Sequence, residues 1–243
     1  MRLCIDIGNT RVKLALFSKK GKLKKLLLEK EVTIRRLEKV LKKYRVKHAI
    51  LSSVRKENKR IQKFLTEQLD TFVVLDSKTN IPVVNLYQTP DTLGRDRIAA
   101  IVGAWARYPN ENVLVMDAGT CITYDFVTNT GRYLGGSILP GIEMRLHALP
   151  LLTANLPLVK IGPLSSFIGD STETSIRTGV QCGVLFETAG FILEYQERFK
   201  QIRVVITGGD TSFFESQLKN EIFAEPNLVL IGLNQILEYN VKR

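Results

Sequence analysis

One short arrangement occurs twice in this chain and restricts its fold more than composition does. Near the start, Leu3-Cys4-Ile5-Asp6-Ile7-Gly8-Asn9-Thr10 runs into Val12-Lys13-Leu14-Ala15-Leu16-Phe17. More than a hundred residues later, Val113-Leu114-Val115-Met116-Asp117-Ala118-Gly119-Thr120 runs into Ile122-Thr123-Tyr124-Asp125-Phe126-Val127. Each copy reads as an apolar strand, a tight turn holding a carboxylate, a glycine and a hydroxyl, then a second apolar strand. A single copy is an ordinary hairpin. Two copies, one in each half, point to a two-lobed chain that grips phosphates between its lobes.

The 243 residues allow one large domain or two of about 110 to 130 residues each. With 44% hydrophobic and 24% charged residues, a buried core forms without disulfides or a structural metal. After the first hairpin, Leu23 to Val32 reads as a third strand. Ile34, Leu37, Val40, Leu41 and Tyr44 recur at helical steps. Ala49 to Val54 reads as a buried strand with a polar end. Ile61, Phe64, Leu65 and Leu69 mark a second helix, and Phe72 to Leu75 another strand. Strands alternating with helices predict an α/β class. Residues 76 to 95 are rich in turn formers, and a helix from Asp96 to Tyr108 is broken by Pro109-Asn110. The lobes are therefore drawn as residues 1–111 and 112–243. The second contains a strand from Arg132 to Leu139, a helix from Ile142 and a long helix over about 172–199. An apolar strand, Arg203 to Ile206, then enters Thr207-Gly208-Gly209-Asp210, with a helix starting near Ser212 and a last one from Leu228 to Tyr239.

Several classes are excluded. No apolar run approaches the ~18 residues that span a membrane. Asp6 sits where a signal peptide needs apolar residues, so a cytoplasmic protein without membrane contacts is expected. Cys4, Cys121 and Cys182 stand at unrelated spacings and read as free thiols filling apolar space, not as a zinc site or disulfide framework. With His48 and His147 alone, a histidine triad has almost no candidates. The net charge of +11 comes from basic residues concentrated between Lys19 and Lys63, on solvated faces. Without interleaved aromatics or zinc-finger spacing, that charge is read as serving solubility and drawing in acidic substrates, with no nucleic acid as partner.

No Gly-x-x-x-x-Gly-Lys-Ser/Thr occurs, so the chain is not a P-loop protein. The turn Asp6-Ile7-Gly8-Asn9-Thr10 offers another solution. Gly8 lets the backbone approach a phosphate, Asn9 and Thr10 donate hydrogen bonds, and Lys13 adds a positive charge. Asp6 would repel phosphate, so it is read as holding the metal ion that neutralises it. Asp117, Gly119 and Thr120 match these roles in the second turn. The pair points to a kinase or phosphatase of the actin and hexokinase type. Thr207-Gly208-Gly209-Asp210 reads either as a seat for adenine or ribose or as a plain strand-to-helix turn. In Leu93-Gly94-Arg95-Asp96-Arg97, Asp96 reads either as a base accepting a hydroxyl proton or as a favourable charge at a helix start. Arg97 can hold an acidic substrate through paired hydrogen bonds.

Taken in order, these motifs resemble those of the type III pantothenate kinases, members of the acetate and sugar kinase, heat-shock protein 70 and actin superfamily. The likeness runs from Asp6-Ile7-Gly8-Asn9-Thr10 through Leu93-Gly94-Arg95-Asp96-Arg97 and Asp117-Ala118-Gly119-Thr120. It continues in Gly135-Gly136-Ser137-Ile138-Leu139-Pro140-Gly141, Gly169-Asp170-Ser171-Thr172 with Gly179, and Thr207-Gly208-Gly209-Asp210. The resemblance implies a two-lobed actin-like ATPase (ribonuclease H-like) fold with mixed sheets flanked by helices. It implies ATP-dependent phosphorylation of pantothenate to 4'-phosphopantothenate, the first step toward coenzyme A. Asp96 would be the general base, with Tyr87, Gly94, Arg95, Asp96, Arg97 and Thr172 around pantothenate. Asp6, Ile7, Gly8, Asn9, Thr10, Arg11, Val12, Lys13 and Thr120 would contact ATP, taken with Mg2+. Asp117 would bind the monovalent cation, K+ or NH4+, and the protein would be a homodimer. Arg95 stands where the family often has a small or apolar residue. The alternatives are another small-molecule kinase of the superfamily and a non-catalytic accessory transcription regulator. A degenerate regulator should have lost one of Asp6, Asp96 and Asp117, and all three are present.

Overall fold

The computed structural model describes residues 1–55, 58–164, 166–218 and 221–241. The elements in chain order are β1 (Arg2–Ile7), β2 (Val12–Phe17), β3 (Leu23–Glu29), α1 (Ile34–Tyr44), β4 (His48–Ser53), α2 (Lys59–Gln68), β5 (Thr71–Val74) and β6 (Val84–Asn85). After a single 3-10 turn (Pro90–Thr92) come α3 (Arg95–Arg107), β7 (Val113–Ala118), β8 (Cys121–Val127), β9 (Arg132–Pro140), α4 (Ile142–Leu152), α5 (Thr172–Phe199), β10 (Arg203–Thr207), α6 (Thr211–Gln217), β11 (Phe223–Ala224) and α7 (Leu228–Val241).

The repeat seen in the sequence is a repeat of topology. One sheet has the order β3-β2-β1-β4-β5, and the other β11-β10-β7-β8-β9-β6. Strands β7 to β11 thus occupy the positions of β1 to β5, with the two-residue β6 added at one edge. β1 and β2 are antiparallel neighbours, whereas β4 lies parallel to β1. A tight turn suffices for the first pairing; the second needs a crossover, which α1 supplies.

The chain divides into two compact units. The first comprises Met1–Asn110, Val127–Leu134 and Asn227–Arg243, the second Glu111–Phe126 and Gly135–Pro226. The lobe drawn as 112–243 from the sequence therefore loses its terminal helix. α7 buries Leu228, Leu230, Leu233, Ile236 and Leu237 and packs on α3, β1 and β4 of the first unit. Its sequence announces a buried helix without naming the surface that buries it.

In the first unit, period-2 alternation sends Leu3, Ile5, Leu14 and Leu16 to one face of the sheet. There they meet Leu37, Val40 and Leu41 of α1 and Ile61 and Leu65 of α2. The Thr33 hydroxyl caps α1 by accepting from the Arg36 N–H at 3.2 Å, a contact that holds the helix start against the sheet. On the other strand face Cys4 is fully buried. Burial pushes its thiol far above the usual range, as the filler reading of a free thiol expects.

The α3–α7 crossing is close enough that backbone meets backbone. A Cβ on Gly103 would run into the Leu228 carbonyl oxygen, and one on Gly232 into the Ala99 carbonyl. Gly103→Ala is expected to destabilise the protein by about 1–3 kcal/mol, because the obstructing atoms are main chain and cannot rotate away. Chemical denaturation measures this; a change below about 0.5 kcal/mol, typical of neutral surface sites, would contradict the packing.

The second unit buries Leu114 and Met116 of β7, Ile122, Tyr124 and Phe126 of β8 and Val204 and Ile206 of β10, together with Ile176, Val184 and Ile192 of α5. Tyr124 stacks on Phe191 at 4.3 Å and shares a 2.8 Å hydrogen bond with the Thr188 hydroxyl. That bond satisfies a phenol in the centre of the core. The 28-residue α5 starts with a capping box between Ser171 and Thr174, which fixes where Thr172 stands. Among the described residues no helix is long and apolar enough to cross a membrane.

Candidate active site

The turn after β1 is held by its own backbone and by the segment that follows β4. The Gly8 N–H donates to the Arg11 carbonyl at 3.1 Å. The Val54 N–H donates to the Ile7 carbonyl at 3.0 Å, and Arg55 Nη2 donates to the Asn9 carbonyl at 2.7 Å. Asn9, Thr10 and Arg11 remain exposed at the tip, Gly8 and Lys13 are half-buried and Val12 is in the core. This leaves hydroxyl and amide donors facing outward on a fixed frame, as phosphate recognition requires.

Asp6 stands one residue before the end of β1, directly before this turn. Its strand partners are Lys13 on β2 and Ser52 on β4, and only 8% of its surface is exposed. Burial raises its carboxyl from 3.8 to about 6; Lys13 opposes the rise and Asp96 adds to it. The field of Asp96 at Asp6 marks two carboxylates, ninety residues apart in sequence, that face one region of the first unit. Such a site holds negative charge that the protein leaves incompletely compensated.

α3 presents Asp96 in its first turn. Gly94 is the N-cap and offers no side-chain hydrogen bond; Asp96 Oδ1 instead accepts from the Arg97 N–H at 2.9 Å. A Cβ on Gly94 would stand 2.6 Å from Asp96 Oδ1, so any larger residue there must displace the carboxylate. Arg95 reaches back to the end of β4, with Nη1 donating to the Ser53 carbonyl at 3.2 Å. Arg97 is 5% exposed with its guanidinium 5.5 Å over the Tyr87 ring. Tyr87 stacks on Tyr133, centroids 6.3 Å apart and planes 6° from parallel. The short β6 makes this possible, since it pairs with the start of β9 and the Leu86 N–H donates to the Tyr133 carbonyl at 3.0 Å. An aromatic face is a favourable seat for a guanidinium, and this stack fixes the side chain next to the first turn of α3.

The second unit builds its own turn between β7 and β8. The Gly119 N–H donates to the Cys121 carbonyl and the Gly141 N–H to the Thr120 carbonyl, both at 3.0 Å. Asp117 pairs across to Thr207 on β10, and Gly208 lies against its carboxylate and the Ala118 main chain. The Asp210 N–H donates to the Ala118 carbonyl at 3.0 Å. Burial raises the Asp210 carboxyl, and Glu143 raises it further. The glycine-rich turn of the sequence is therefore bound to the second phosphate-type turn. Thr120 is exposed beside it. Thr172 stands elsewhere on this unit, at the N-terminus of α5, on the rim of an open depression of about 890 Å³ that Leu149, Leu156, Asp170 and Gly179 also line.

The structure thus brings Asp6, Lys13, Asp96, Arg97 and Tyr87 together in the first unit and Asp117, Thr120 and the 207–210 turn in the second. The sequence reasoning did not single out Ser53, Arg55 or Tyr133. Ser53 and Arg55 had one sequence signal, the polar end of a buried strand; Tyr133 had none.

Among the described residues no group of three or more His, Cys, Asp or Glu could hold a metal ion alone. In phosphoryl transfer Mg2+ is usually held by one or two protein carboxylates together with substrate phosphates. Asp6, buried and undercompensated, fits such an ion.

The strand-turn-strand unit on a duplicated strand order defines an α/β fold of the actin-like ATPase class. The family profile of the type III pantothenate kinases matches residues 2–194. A type III pantothenate kinase from Bacteroides fragilis (strain YCH46) is 44% identical over 240 residues, covering 99% of this chain and 98% of that protein. Among solved structures, a Baf family protein from Campylobacter jejuni superposes with a TM-score of 0.65 at 22% identity, over 99% of this chain and 100% of that one. An activator of 2-hydroxyisocaproyl-CoA dehydratase from Clostridium difficile, solved with ADPNP, does so with a TM-score of 0.54 at 13% identity, covering 99% and 95%. The chain belongs to the type III pantothenate kinase family.

Proposed function

We propose that this chain transfers the γ-phosphoryl group of ATP to the hydroxyl of pantothenate, giving 4'-phosphopantothenate in coenzyme A biosynthesis. Full-length membership of the kinase family supports the reaction. The arrangement that carries the residue assignment is Asp96 in the first turn of α3, within the field of Asp6 and beside a stacked, buried Arg97. Phosphoryl transfer needs positioning and charge neutralisation more than covalent chemistry. In this reading Asp96 accepts the hydroxyl proton, Arg97 holds the pantothenate carboxylate, Gly94, Arg95 and Tyr87 shape the first unit's side of the site, and Thr172 is a further contact to pantothenate. Asp6 to Lys13 and Thr120 bind the nucleotide. Asp6 holds Mg2+, which supplies charge neutralisation at the phosphates when bound, and Asp117 is the ligand for K+ or NH4+. The enzyme works in the cytoplasm, without nucleic-acid or membrane partners.

A homodimer is part of this reading. The exposure of Leu151, Leu152, Phe167, Ile168 and Phe186 of the second unit, each above 65%, supports it. Light scattering is expected to give twice the 27.4 kDa chain mass.

The deciding experiment is a coupled assay of ADP release over an acceptor panel of pantothenate, acetate and hexoses, run in potassium and in sodium. Turnover with pantothenate alone, faster in potassium, is expected. Turnover with a sugar or acetate but not pantothenate would move the chain to another activity of the superfamily.

A further inference from the structure

The first unit has a small pocket at the opposite end of β1 from Asp6, lined in part by charged residues. It has a volume of about 210 Å³ and is lined by Met1, Arg2, Lys19, Lys47, His48, Glu238 and Val241, room for about seven waters at liquid density. Arg2 and His48 are strand partners on β1 and β4, as Asp6 and Ser52 are further along. Four residues of strand separate the two ends, about 13 Å.

Arg2 is 6% exposed and rigidly held. Its Nη2 donates to the Ser18 and Lys19 carbonyls at 3.2 and 2.9 Å, and its Nη1 pairs with Glu238 at 2.8 Å. Its Nε has no hydrogen-bond partner among the described residues, nor has Nδ1 of His48. Both atoms belong to residues that line the pocket, and a buried donor or acceptor left unmatched is costly. Among the described residues, the acids that face this lining are Glu238, already paired with Arg2, and Asp70, 3.4 Å from Lys47. Against them stand Arg2, Lys19, Lys47 and the amino group of Met1. The pocket also opens within the most basic stretch of the chain, with eighteen Lys and Arg against four Glu between Lys19 and Lys63.

We propose that this pocket binds a small phosphate-bearing anion, separately from the nucleotide turn, with Lys19 and Lys47 as its exposed charged walls and Arg2 as its buried floor. The surroundings show the excess positive charge such a ligand would neutralise. The Met1 amino group is pushed down by burial and then by Lys19, Arg2 and Lys47. The His48 imidazole is pushed down chiefly by burial, with the Met1 amino group, Lys47 and Arg2 adding and Asp70 opposing.

The two histidines make this testable in the whole protein. The protein is saturated with magnesium and a non-hydrolysable ATP analogue, so the nucleotide turn is filled. Inorganic phosphate is then titrated against chloride at constant ionic strength, with the imidazole signals followed by NMR. His48 is expected to shift saturably, and its own titration to move to higher pH as the anion offsets its cationic neighbours. His147, 63% exposed beside Glu143, should not respond. The double variant Lys19→Gln, Lys47→Gln alters two exposed side chains; it should weaken phosphate about tenfold or more and leave pantothenate turnover unchanged. An unresponsive His48, equal shifts at both histidines, or an unaltered titration in the double variant would each overturn the site.

Discussion

Asp96→Asn is expected to lower kcat for pantothenate by about 10²–10⁴-fold, the range lost when a positioned general base is removed. The amide keeps the shape of the carboxylate and can still accept from the Arg97 N–H, as Asp96 Oδ1 does at 2.9 Å. The start of α3 should therefore stay intact, and KM for pantothenate should change far less than kcat. Asp96 also contributes to the raised carboxyl of Asp6. Removing its charge lets Asp6 ionise more easily, so nucleotide binding should persist or tighten slightly. Steady-state kinetics together with calorimetric ATP titration separate these effects. Full turnover in Asp96→Asn would remove the proposed base, and loss of ATP binding would make Asp96 a structural residue of the nucleotide turn.

The second large effect joins function to stability at Asp6. Asp6→Asn is expected to abolish turnover by removing the carboxylate proposed to hold Mg2+ at the phosphates. It should also make the nucleotide-free protein more stable at neutral pH. Burial raises the folded carboxyl from 3.8 to about 6, so between those values the folded state binds a proton that the unfolded state releases. Stability from this group is complete below pH ~4 and lost as pH rises through ~6. Above that the folded protein bears the full cost of the charge, about 3 kcal/mol at 1.36 kcal/mol per pH unit. The neutral amide escapes most of it. Denaturation at pH 7.5 without nucleotide or magnesium should show Asp6→Asn more stable by about 1–3 kcal/mol, the gap closing toward pH 4. A variant equal to or weaker than the parent at pH 7.5 would show the carboxylate to be well compensated in the folded protein. The expected pattern is that of a functional site kept at the expense of stability.

Most elements were legible because their patterns are local. Leu3, Ile5, Leu14 and Leu16 alternate as strands must, and Leu37, Val40 and Leu41 recur as a helix face must; both patterns end where the structure ends them. The two-residue strands β6 and β11 had no such signal, being too short to show a period. The candidate site divides the same way. Asp6, Asp96 and Asp117 stand in glycine-containing motifs with a recognisable order. Ser53 and Arg55 offered only the polar end of a buried strand, and Tyr133 nothing, because each acts through what it touches.

The sequence by itself determined the duplicated strand-turn-strand unit, the α/β alternation and the identity of the acidic residues, since period and turn chemistry are properties of neighbouring residues. Only the tertiary structure decided that α7 returns to the first unit, where glycines on α3 and α7 let two backbones meet. It also decided that Tyr133 supports Tyr87 under Arg97, and that Arg2 and His48 share a basic pocket. Above all it set the charge state of Asp6, because desolvation and the field of a carboxylate ninety residues away depend on distance in space and not on distance along the chain.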